Sequence, residues 1–280
     1  MTRKILVALS AASAFALPQA AHADENVFAY SYGSETLPKG GTELYVWATD
    51  RRGKGEGEFN AQDYQIELEH ALTNRFQVSL YTTFASVHSE GLEPSIDDID
   101  RDFAFNGMKA AFKYSLLSPY TDGIGVALYI EPGYARYSSS SGEREDKRFL
   151  EGKLLLQKNF ANDKAMWVGN IVVEKEWEKE PEDSEWEAET EFELSSGLAA
   201  RVAKNVHLGA EGRYTSVYEH GEREKWALFA GPTVHVAAGR FWGTLSYQHQ
   251  LDGAPNTRSD SLNLGSYTNR EIRMKLGYNF

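Results

Sequence analysis

Apolar residues recur at every second position through most of the chain after residue 41. In the segments 76–84, 124–130 and 150–156, large apolar side chains alternate with polar or small ones. A period of two places successive side chains on opposite faces of a β-strand. No stretch of comparable length shows the 3.6-residue apolar period of a helix. The sequence therefore predicts an all-β protein.

The alternating pattern divides into about twelve predicted strands. They are 42–50, 63–72, 75–88, 105–117, 123–138, 148–160, 165–179, 185–203, 206–220, 225–238, 240–251 and 269–280. Tight turns between them alternate with longer, more charged loops, as in a transmembrane antiparallel up-and-down β-barrel. A soluble β-sandwich or lipocalin-like barrel also alternates. Many of these strands, however, exceed the ~5–6 residues usual in globular proteins and are long enough to cross a bilayer.

Aromatic residues mark both ends of one apolar strand face. Trp167 and Trp177 lie on the same face of this strand, at either end of a run of small and aliphatic residues, which predicts an aromatic girdle. About ten residues at a rise of about 3.3 Å, tilted by about 40°, span ~25 Å, the height of the apolar band of outer-membrane barrels. The charged residues lie mostly on the other parity. We therefore expect residues 42–280 to form a barrel with apolar side chains toward lipid and ionisable ones toward the lumen.

The N-terminal region differs from the rest of the chain. Residues 1–23 contain two early basic residues, an apolar run at 5–17 and a final Ala-His-Ala. This order is typical of a secretory signal peptide and predicts export to the bacterial outer membrane. Residues 24–41 contain three aromatic residues before a Pro-Lys-Gly-Gly turn. This segment is either a periplasmic lead-in or a plug that folds back into the barrel, and the sequence leaves both interpretations open.

The last predicted strand carries a specific local pattern. Its apolar residues are in phase and end on an aromatic C-terminal residue: Ile272, Met274, Leu276, Tyr278 and Phe280. The pattern resembles the C-terminal signal that the barrel-assembly machinery recognises in outer-membrane proteins. The partners expected on this basis are that machinery during biogenesis and outer-membrane lipids afterwards.

The predicted lumen carries both signs of charge. Its expected basic residues are Lys109, Lys113, Lys153, Arg213, Arg273 and Lys275. An acidic ladder is expected on the seventh and eighth strands, formed by Glu174, Glu176, Glu178, Glu187, Glu189, Glu191 and Glu193. A hairpin centred on residues 182–183 would set these carboxylates opposite one another, which is destabilising unless something neutralises them.

Two interpretations of the acidic ladder stay open. It is either a solvated surface hairpin or a vestibule that attracts cations, as rings of acidic residues do in cation channels. Clustered carboxylate oxygens also suit Ca²⁺, so a calcium ion is the one cofactor that this hairpin would accommodate. No other cofactor is expected.

Composition and motifs exclude several functions. A net charge of -12 argues against nucleic acid as a partner, and the absence of cysteine removes thiolate chemistry. The sequence has no Gly-x-Ser-x-Gly element, and His70 and His249 lie on the predicted lipid-facing parity. Acidic residues at 97–102 with His88 or His220 would imitate the acid–His site of a surface protease, but clustered loop acids are usually solvated. We expect no enzyme.

Short motifs resemble a known group of outer-membrane proteins. They are Glu-Thr-Leu-Pro-Lys-Gly at 35–40, Glu-Leu-Glu-His-Ala-Leu-Thr-Asn-Arg-Phe-Gln at 67–77 and Met-Lys-Ala-Ala-Phe-Lys-Tyr at 108–114. This layout resembles an uncharacterised Gram-negative barrel family grouped with the phenol meta-pathway degradation barrels. Those barrels are distantly similar to fatty-acid-type transporters of hydrophobic compounds. The resemblance implies outer-membrane location and an uptake role.

A narrow channel or uptake porin for small solutes, with an acidic lumen or vestibule, is the function that the sequence favours. Twelve strands lie between filled eight-stranded barrels and the open porins of sixteen or more. The alternative is a non-transporting barrel that displays acidic loops for surface interaction or envelope integrity. An outer-membrane hydrolase is the least favoured alternative.

Overall fold

The structure, a computed structural model, describes residues 27–93, 98–138, 141–179, 185–256 and 261–280. It consists of twelve strands. They are β1 (Thr42–Arg52), β2 (Glu56–Ala71), β3 (Phe76–Glu93), β4 (Ile99–Leu117), β5 (Gly125–Tyr137), β6 (Arg144–Phe160), β7 (Ala165–Lys179), β8 (Glu187–Ala203), β9 (Val206–Glu219), β10 (Glu222–Ala238), β11 (Phe241–Ala254) and β12 (Arg270–Asn279). The described residues include no helix that is long and apolar enough to span a membrane. The predicted signal peptide lies outside the described residues.

The strands form one closed antiparallel barrel in which each strand pairs with its neighbours in sequence and β1 pairs with β12. At the closing seam, Leu44 is opposite Tyr278 and Val46 is opposite Leu276. The amide of Phe280 donates to the carbonyl oxygen of Thr42. Closure removes the unpaired sheet edges that an open sheet would leave. The predicted fold class is confirmed.

Side chains segregate by parity as the alternation predicts. Leu80, Ile130 and Leu198 are among the many large apolar residues exposed on the outer wall. The residues between them are buried inside the barrel, including Glu67 and Lys275. An apolar exterior over an ionisable interior is the reverse of a soluble protein and matches a barrel surrounded by hydrocarbon.

Several strands are longer than predicted, and the additional residues lie at one end of the barrel. The strands β2, β3, β4, β6 and β10 all extend toward this end, and the connection predicted at residues 51–62 is reduced to residues 53–55. These extensions do not continue the apolar-outward pattern of the band: Phe59, Ala61 and Leu92 are buried in an apolar cluster, whereas Glu58 and Asn60 beside them are polar and less buried. Backbone hydrogen bonds nevertheless continue the ladder, because each strand already has a paired neighbour. We call this the extracellular end, because β1 begins and β12 ends at the opposite end of the barrel.

Candidate functional site: the lumen and its vestibule

Residues 27–41 run through the lumen in the half of the barrel where β1 begins and β12 ends. The carboxylate of Glu211 on β9 accepts hydrogen bonds from three successive backbone amides of this segment. Its Oε1 lies 3.1 Å from the nitrogen of Ala29, and its Oε2 lies 3.0 Å from those of Tyr30 and Ser31. A carboxylate that accepts several backbone amides is a strong, charge-assisted anchor. Both ends of this interaction are buried.

Amide side chains hold the rest of the segment. Asn170 on β7 accepts from the nitrogen of Tyr32 at 2.7 Å and donates to its carbonyl oxygen at 2.9 Å. Gln157 on β6 accepts from the nitrogen of Ser34 at 2.9 Å, and Gln77 on β3 accepts from that of Leu37 at 2.9 Å. These bonds satisfy backbone groups that would otherwise be buried without partners. The segment is thus fixed to at least four strands.

Two glycines permit the segment to lie against the wall. A Cβ at Gly197 would lie 2.6 Å from ring atoms of Phe28, and one at Gly125 would collide with Ser34. Phe28 packs in an apolar cluster with Val27, Val168 and Ala199. A larger residue at position 197 would therefore displace Phe28 from its cluster.

Above the segment, aromatic rings and ion pairs cross the lumen. The Arg273 guanidinium lies 3.9 Å from the ring centre of Tyr30, and that of Arg213 lies 4.6 Å from it. Arg213 also donates to Glu271 at 2.8 Å. Cation–π contacts of this kind are strongest where water is excluded. The ring of Tyr30 thus joins the segment to the charged middle of the barrel.

A second network lies on the wall formed by β3, β4 and β5. The hydroxyls of Tyr81 and Tyr129 are 2.9 Å apart, and Tyr129 donates to Glu131 at 2.5 Å. The ammonium group of Lys109 lies 2.7 Å from the same carboxylate. Tyr32 packs against this cluster from the segment. Buried charges here are paired, as their desolvation requires.

Two cavities occupy the extracellular half of the lumen. One has a volume of about 270 Å³ and is lined partly by Trp47, Asn106 and Phe149. The other has a volume of about 410 Å³. They share the lining residues Arg51, Lys147, Glu176 and Glu191, so we treat them as one space, which we call the vestibule. A smaller cavity of about 190 Å³ at the opposite end is lined by residues of the N-terminal segment and of the short turns.

Five of the seven residues of the acidic ladder line this vestibule, all but Glu187 and Glu193. Glu174 is opposite Glu191, Glu176 opposite Glu189 and Glu178 opposite Glu187, as the hairpin prediction requires. The centre of that hairpin lies outside the described residues. Oxygen atoms of Glu174, Glu176 and Glu191 lie within 4.8 Å of one another. The predicted pairing of like charges is therefore present along β7 and β8, and it needs a source of positive charge.

Lys147 supplies much of that charge. Its ammonium group lies 2.6 Å from a carboxylate oxygen of Glu176 and 3.0 Å from one of Glu178. Glu189 lies 3.7 Å from Lys225, and Thr215 donates to Glu191 at 2.5 Å. Lys147 lies on the lumen-facing side of β6. The sequence pattern did not identify it because residues 139–147 were predicted to form a loop.

The vestibule is balanced in formal charge. Four cationic and four anionic described residues line the smaller cavity. Five of each line the larger one. The acidic residues concentrate on β7 and β8, whereas Arg51, Lys54, Arg213 and Lys225 approach from other elements. The two kinds of charge therefore face each other across the space.

Lys54 lies in the connection between β1 and β2 and is 4% exposed. Burial, followed by the nearby charge of Lys225, lowers its pKa to about 8. Its ammonium group lies 5.7 Å from the ring centre of Phe59. Lys54 therefore changes charge close to neutral pH, at the rim of the vestibule.

The remaining predicted site residues occupy defined places. The basic residues point inward, and Lys113 and Lys275 are nearly inaccessible. Lys153 lies 2.9 Å from Glu151. Glu193 lies 3.8 Å from Arg213.

The aromatic girdle and the C-terminal series face outward. Trp177 is exposed on the outer wall, and Trp167 donates to Ser196 at 3.0 Å. In the C-terminal strand, Ile272, Met274, Leu276 and Phe280 are exposed, and Tyr278 packs between Phe241 and Phe280.

The residues considered for catalysis do not converge on one site in the described structure. His88 Nδ1 lies 3.5 Å from Asp100 Oδ1, and both side chains are largely exposed. Asp97 lies outside the described residues. His220 begins the turn after β9.

The anchors of the N-terminal segment were not identified from the sequence. Glu211 is on the expected lumen parity, but the pattern does not reveal what it binds. Gln77, Gln157 and Asn170 are neutral polar residues at lumen positions in the half of the barrel near the short turns. Together with the aromatic residues of 24–41, these side-chain amides are the features of the sequence that point to a backbone segment inside.

Comparison with solved structures finds outer-membrane barrels. The COG4313 outer membrane channel from Pseudomonas putida F1 has a TM-score of 0.58 and 15% identity, covering 88% of this chain and 98% of that one. The β domain of the Bordetella autotransporter BrkA has a TM-score of 0.55 and 12% identity, covering 86% and 100%. The NanC porin has a TM-score of 0.51 and 9% identity, covering 85% and 98%. At these identities the similarity concerns the fold.

No curated protein matches the chain. The likeness to phenol meta-pathway barrels is not shown by these comparisons. A family model does match, over residues 20–280, and it covers the whole barrel together with the segment inside it. The chain therefore belongs to the family of unknown function DUF6662.

Proposed function

We propose that this protein is a narrow outer-membrane channel that admits small polar solutes through the vestibule. The observation that carries the proposal is the pair of connected cavities in the extracellular half of the lumen, lined by opposed charges. The N-terminal segment occupies the lumen below them. We infer that this segment limits passage and acts as the plug that the sequence left open. The outer wall and the fold of the structural neighbours support an outer-membrane location.

Selectivity is proposed to depend on the acidic ladder and on the cations that offset it. The acidic ladder favours cations, but the cations that face it balance its charge, so we expect only a weak preference for cations. The variant Lys147→Gln removes the cation shared by Glu176 and Glu178 and should strengthen the preference for cations. Glu174→Gln with Glu191→Gln should shift it toward anions.

Reversal potentials of the purified protein in planar bilayers, measured across a KCl gradient, test this proposal. The matched control is Glu222→Gln with Glu224→Gln, since both residues are exposed and do not line the described cavities. Shifts of opposite sign for the two vestibule variants, with none for the control, support selection in the vestibule. Identical reversal potentials in all four proteins would refute it.

A calcium ion at the acidic ladder stays a prediction. The three carboxylates within 4.8 Å of one another provide oxygen ligands of the kind that Ca²⁺ prefers. The ammonium group of Lys147 competes for the same place, so Lys147→Gln should raise calcium affinity. Calorimetric titration of the protein and of this variant with CaCl₂ measures the effect. No heat of binding in either protein would exclude the ion.

The second candidate is a non-transporting barrel, and the bound N-terminal segment is the observation that favours it. If the hydrogen-bonded segment closes the lumen, the extended extracellular hairpins are the part of the protein that would interact with other molecules. Liposome swelling with small sugars and amino acids distinguishes the candidates, because flux requires a path and a sealed barrel gives none. Uptake of hydrophobic compounds, implied by the resemblance in the sequence, also stays a prediction. A lipase and protease assay on the folded protein tests the hydrolase alternative.

A further inference from the structure

A group of cations lies on the outer wall of the barrel rather than in the lumen. Arg148 and Lys175 project outward from β6 and β7, since they share a parity with the exposed residues Leu150 and Val173. Arg136 on β5 and Lys179 on β7 extend the group. In a chain of net charge -12, a cluster of four cations on one patch of the lipid-facing wall needs an explanation.

The position of this patch is set by its neighbours in the sheet. Arg148 is opposite Trp177 on one side and Tyr134 on the other. Its guanidinium lies 4.8 Å from the ring centre of Trp186, a side chain that is 41% exposed. Trp and Tyr concentrate at the level of lipid headgroups. The cations therefore lie where the extracellular edge of the apolar band meets the headgroups.

One carboxylate, Asp146, lies on the same face opposite Lys179, but none of the four cations forms an ion pair with a carboxylate within 4 Å among the described residues. Lys175 donates to the hydroxyl of Thr190 at 3.2 Å, and the ring of Trp186 contacts Arg148. An Arg or Lys on the lipid face is destabilising at the bilayer midplane and nearly neutral close to the interface. An anionic headgroup would supply a counter-charge.

An apolar groove lies beside the cations on the same wall. It has a volume of about 680 Å³, and its outer-wall lining includes Leu80, Met108, Ala110 and Pro132, with Asp146, Arg148 and Trp186 at its extracellular end. Aliphatic side chains below and a guanidinium above match an amphiphile with an acyl chain and an anionic headgroup. Arginine binds phosphate through two parallel hydrogen bonds.

We propose that the outer wall of β5–β7 binds the phosphorylated, acylated sugar headgroup of the outer-leaflet glycolipid, lipid A. The phosphate contacts Arg148 and Lys175, and an acyl chain lies along the groove. The surface is independent of the lumen, so the proposal does not depend on the protein being a channel. Charge complementarity selects this lipid over zwitterionic phospholipids.

The test is native mass spectrometry of the full-length protein in detergent with added lipid A. The variant is Arg148→Gln with Lys175→Gln. The control is Arg52→Gln, which removes an outward cation on the opposite side of the barrel that is 2.8 Å from Asp50. We expect the double variant to bind about tenfold more weakly and the control to bind as the parent does, because a charge-assisted hydrogen bond is lost at the patch.

Binding of two other lipids to the parent protein identifies the group that is recognised. Lipid A without phosphates should bind the parent protein about tenfold more weakly than phosphorylated lipid A. Phosphatidylglycerol should also bind about tenfold more weakly, because its phosphate diester carries less charge than the phosphate monoesters of lipid A. Equal binding of the dephosphorylated form would overturn the proposal, because the groove alone would then be responsible. Equal binding of phosphatidylglycerol, or the same loss in the control, would also overturn it. Heat-modifiable migration on gels verifies that each variant is folded.

Discussion

Lys54 is a single residue whose charge depends on its surroundings. It lies in a three-residue connection, is almost completely buried, and lines the larger cavity of the vestibule. Desolvation, and next the charge of Lys225, lowers its pKa, and Glu143 opposes the shift. The lowered pKa is about 8. Lys54 is therefore a group at which pH changes the charge of the vestibule.

Between pH 7 and pH 9, Lys54 should lose its proton, so the vestibule should become more negative and the preference for cations should rise. The measurement is the reversal potential at each pH in planar bilayers. The variant Lys54→Gln should show the higher preference already at pH 7 and little change with pH. A parent and variant with the same pH dependence would mean that another group titrates.

At the scale of elements, the N-terminal segment depends most on Glu211. Three backbone amides converge on its carboxylate. Each charge-assisted hydrogen bond contributes about 1.5–3 kcal/mol, so Glu211→Ala should free the segment from β9. In single-channel recordings, large conductance steps should be at least about tenfold more frequent for this variant than for the parent.

Glu189→Ala is the control for this experiment, because it also removes a lumen carboxylate but contacts Lys225 in the vestibule. Its conductance steps should resemble those of the parent. Gly197→Leu offers a second route to the same state, since the new side chain would displace Phe28. Unchanged recordings for both Glu211→Ala and Gly197→Leu would show that the segment does not limit passage.

The last strand is the second element with a specific expected role. Phe280 is 64% exposed, and its ring packs on Tyr278. If the terminal aromatic residue is read by the assembly machinery, Phe280→Ser should lower the amount of heat-modifiable protein in outer-membrane fractions. Phe160→Ser removes an exposed aromatic residue from the turn end of β6 and serves as the control. Equal losses would attribute the effect to packing.

The strands and the side of the wall that each residue faces were predictable from the sequence. The ends of the strands and the path of the segment in the lumen were not. Alternation at Leu80 or Ile130 reports the side that meets hydrocarbon, and β7 and β8 are in the register that their glutamates predict. Beyond the apolar band the pattern reverses, with residues such as Phe59 and Leu92 buried in a cluster and polar residues outside, so the extensions of β2 to β4 do not continue the period of the band. The path of residues 27–41 depends on contacts with strands more than a hundred residues away, such as that between Ala29 and Glu211.

At the scale of the whole molecule, the decisive property is that the apolar wall faces lipid. Leu80 is 61% exposed and lies in the middle of that wall, and Leu117 is 40% exposed at the end of β4. Leu80→Arg should lower the unfolding free energy in bilayers by about 2–4 kcal/mol, and Leu117→Arg by about 0–1 kcal/mol. Urea titration in liposomes gives both values. Equal, small effects would mean that Leu80 meets water.

The pairing of β1 with β12 has a consequence for how the molecule is made. The strand that completes the wall is synthesised after the eleven others, while the segment held by Glu211 immediately precedes the first strand. The barrel therefore cannot close until β12 has been made. By then residues 27–41 must either be enclosed as the seam forms or enter the lumen afterwards from the side of the short turns.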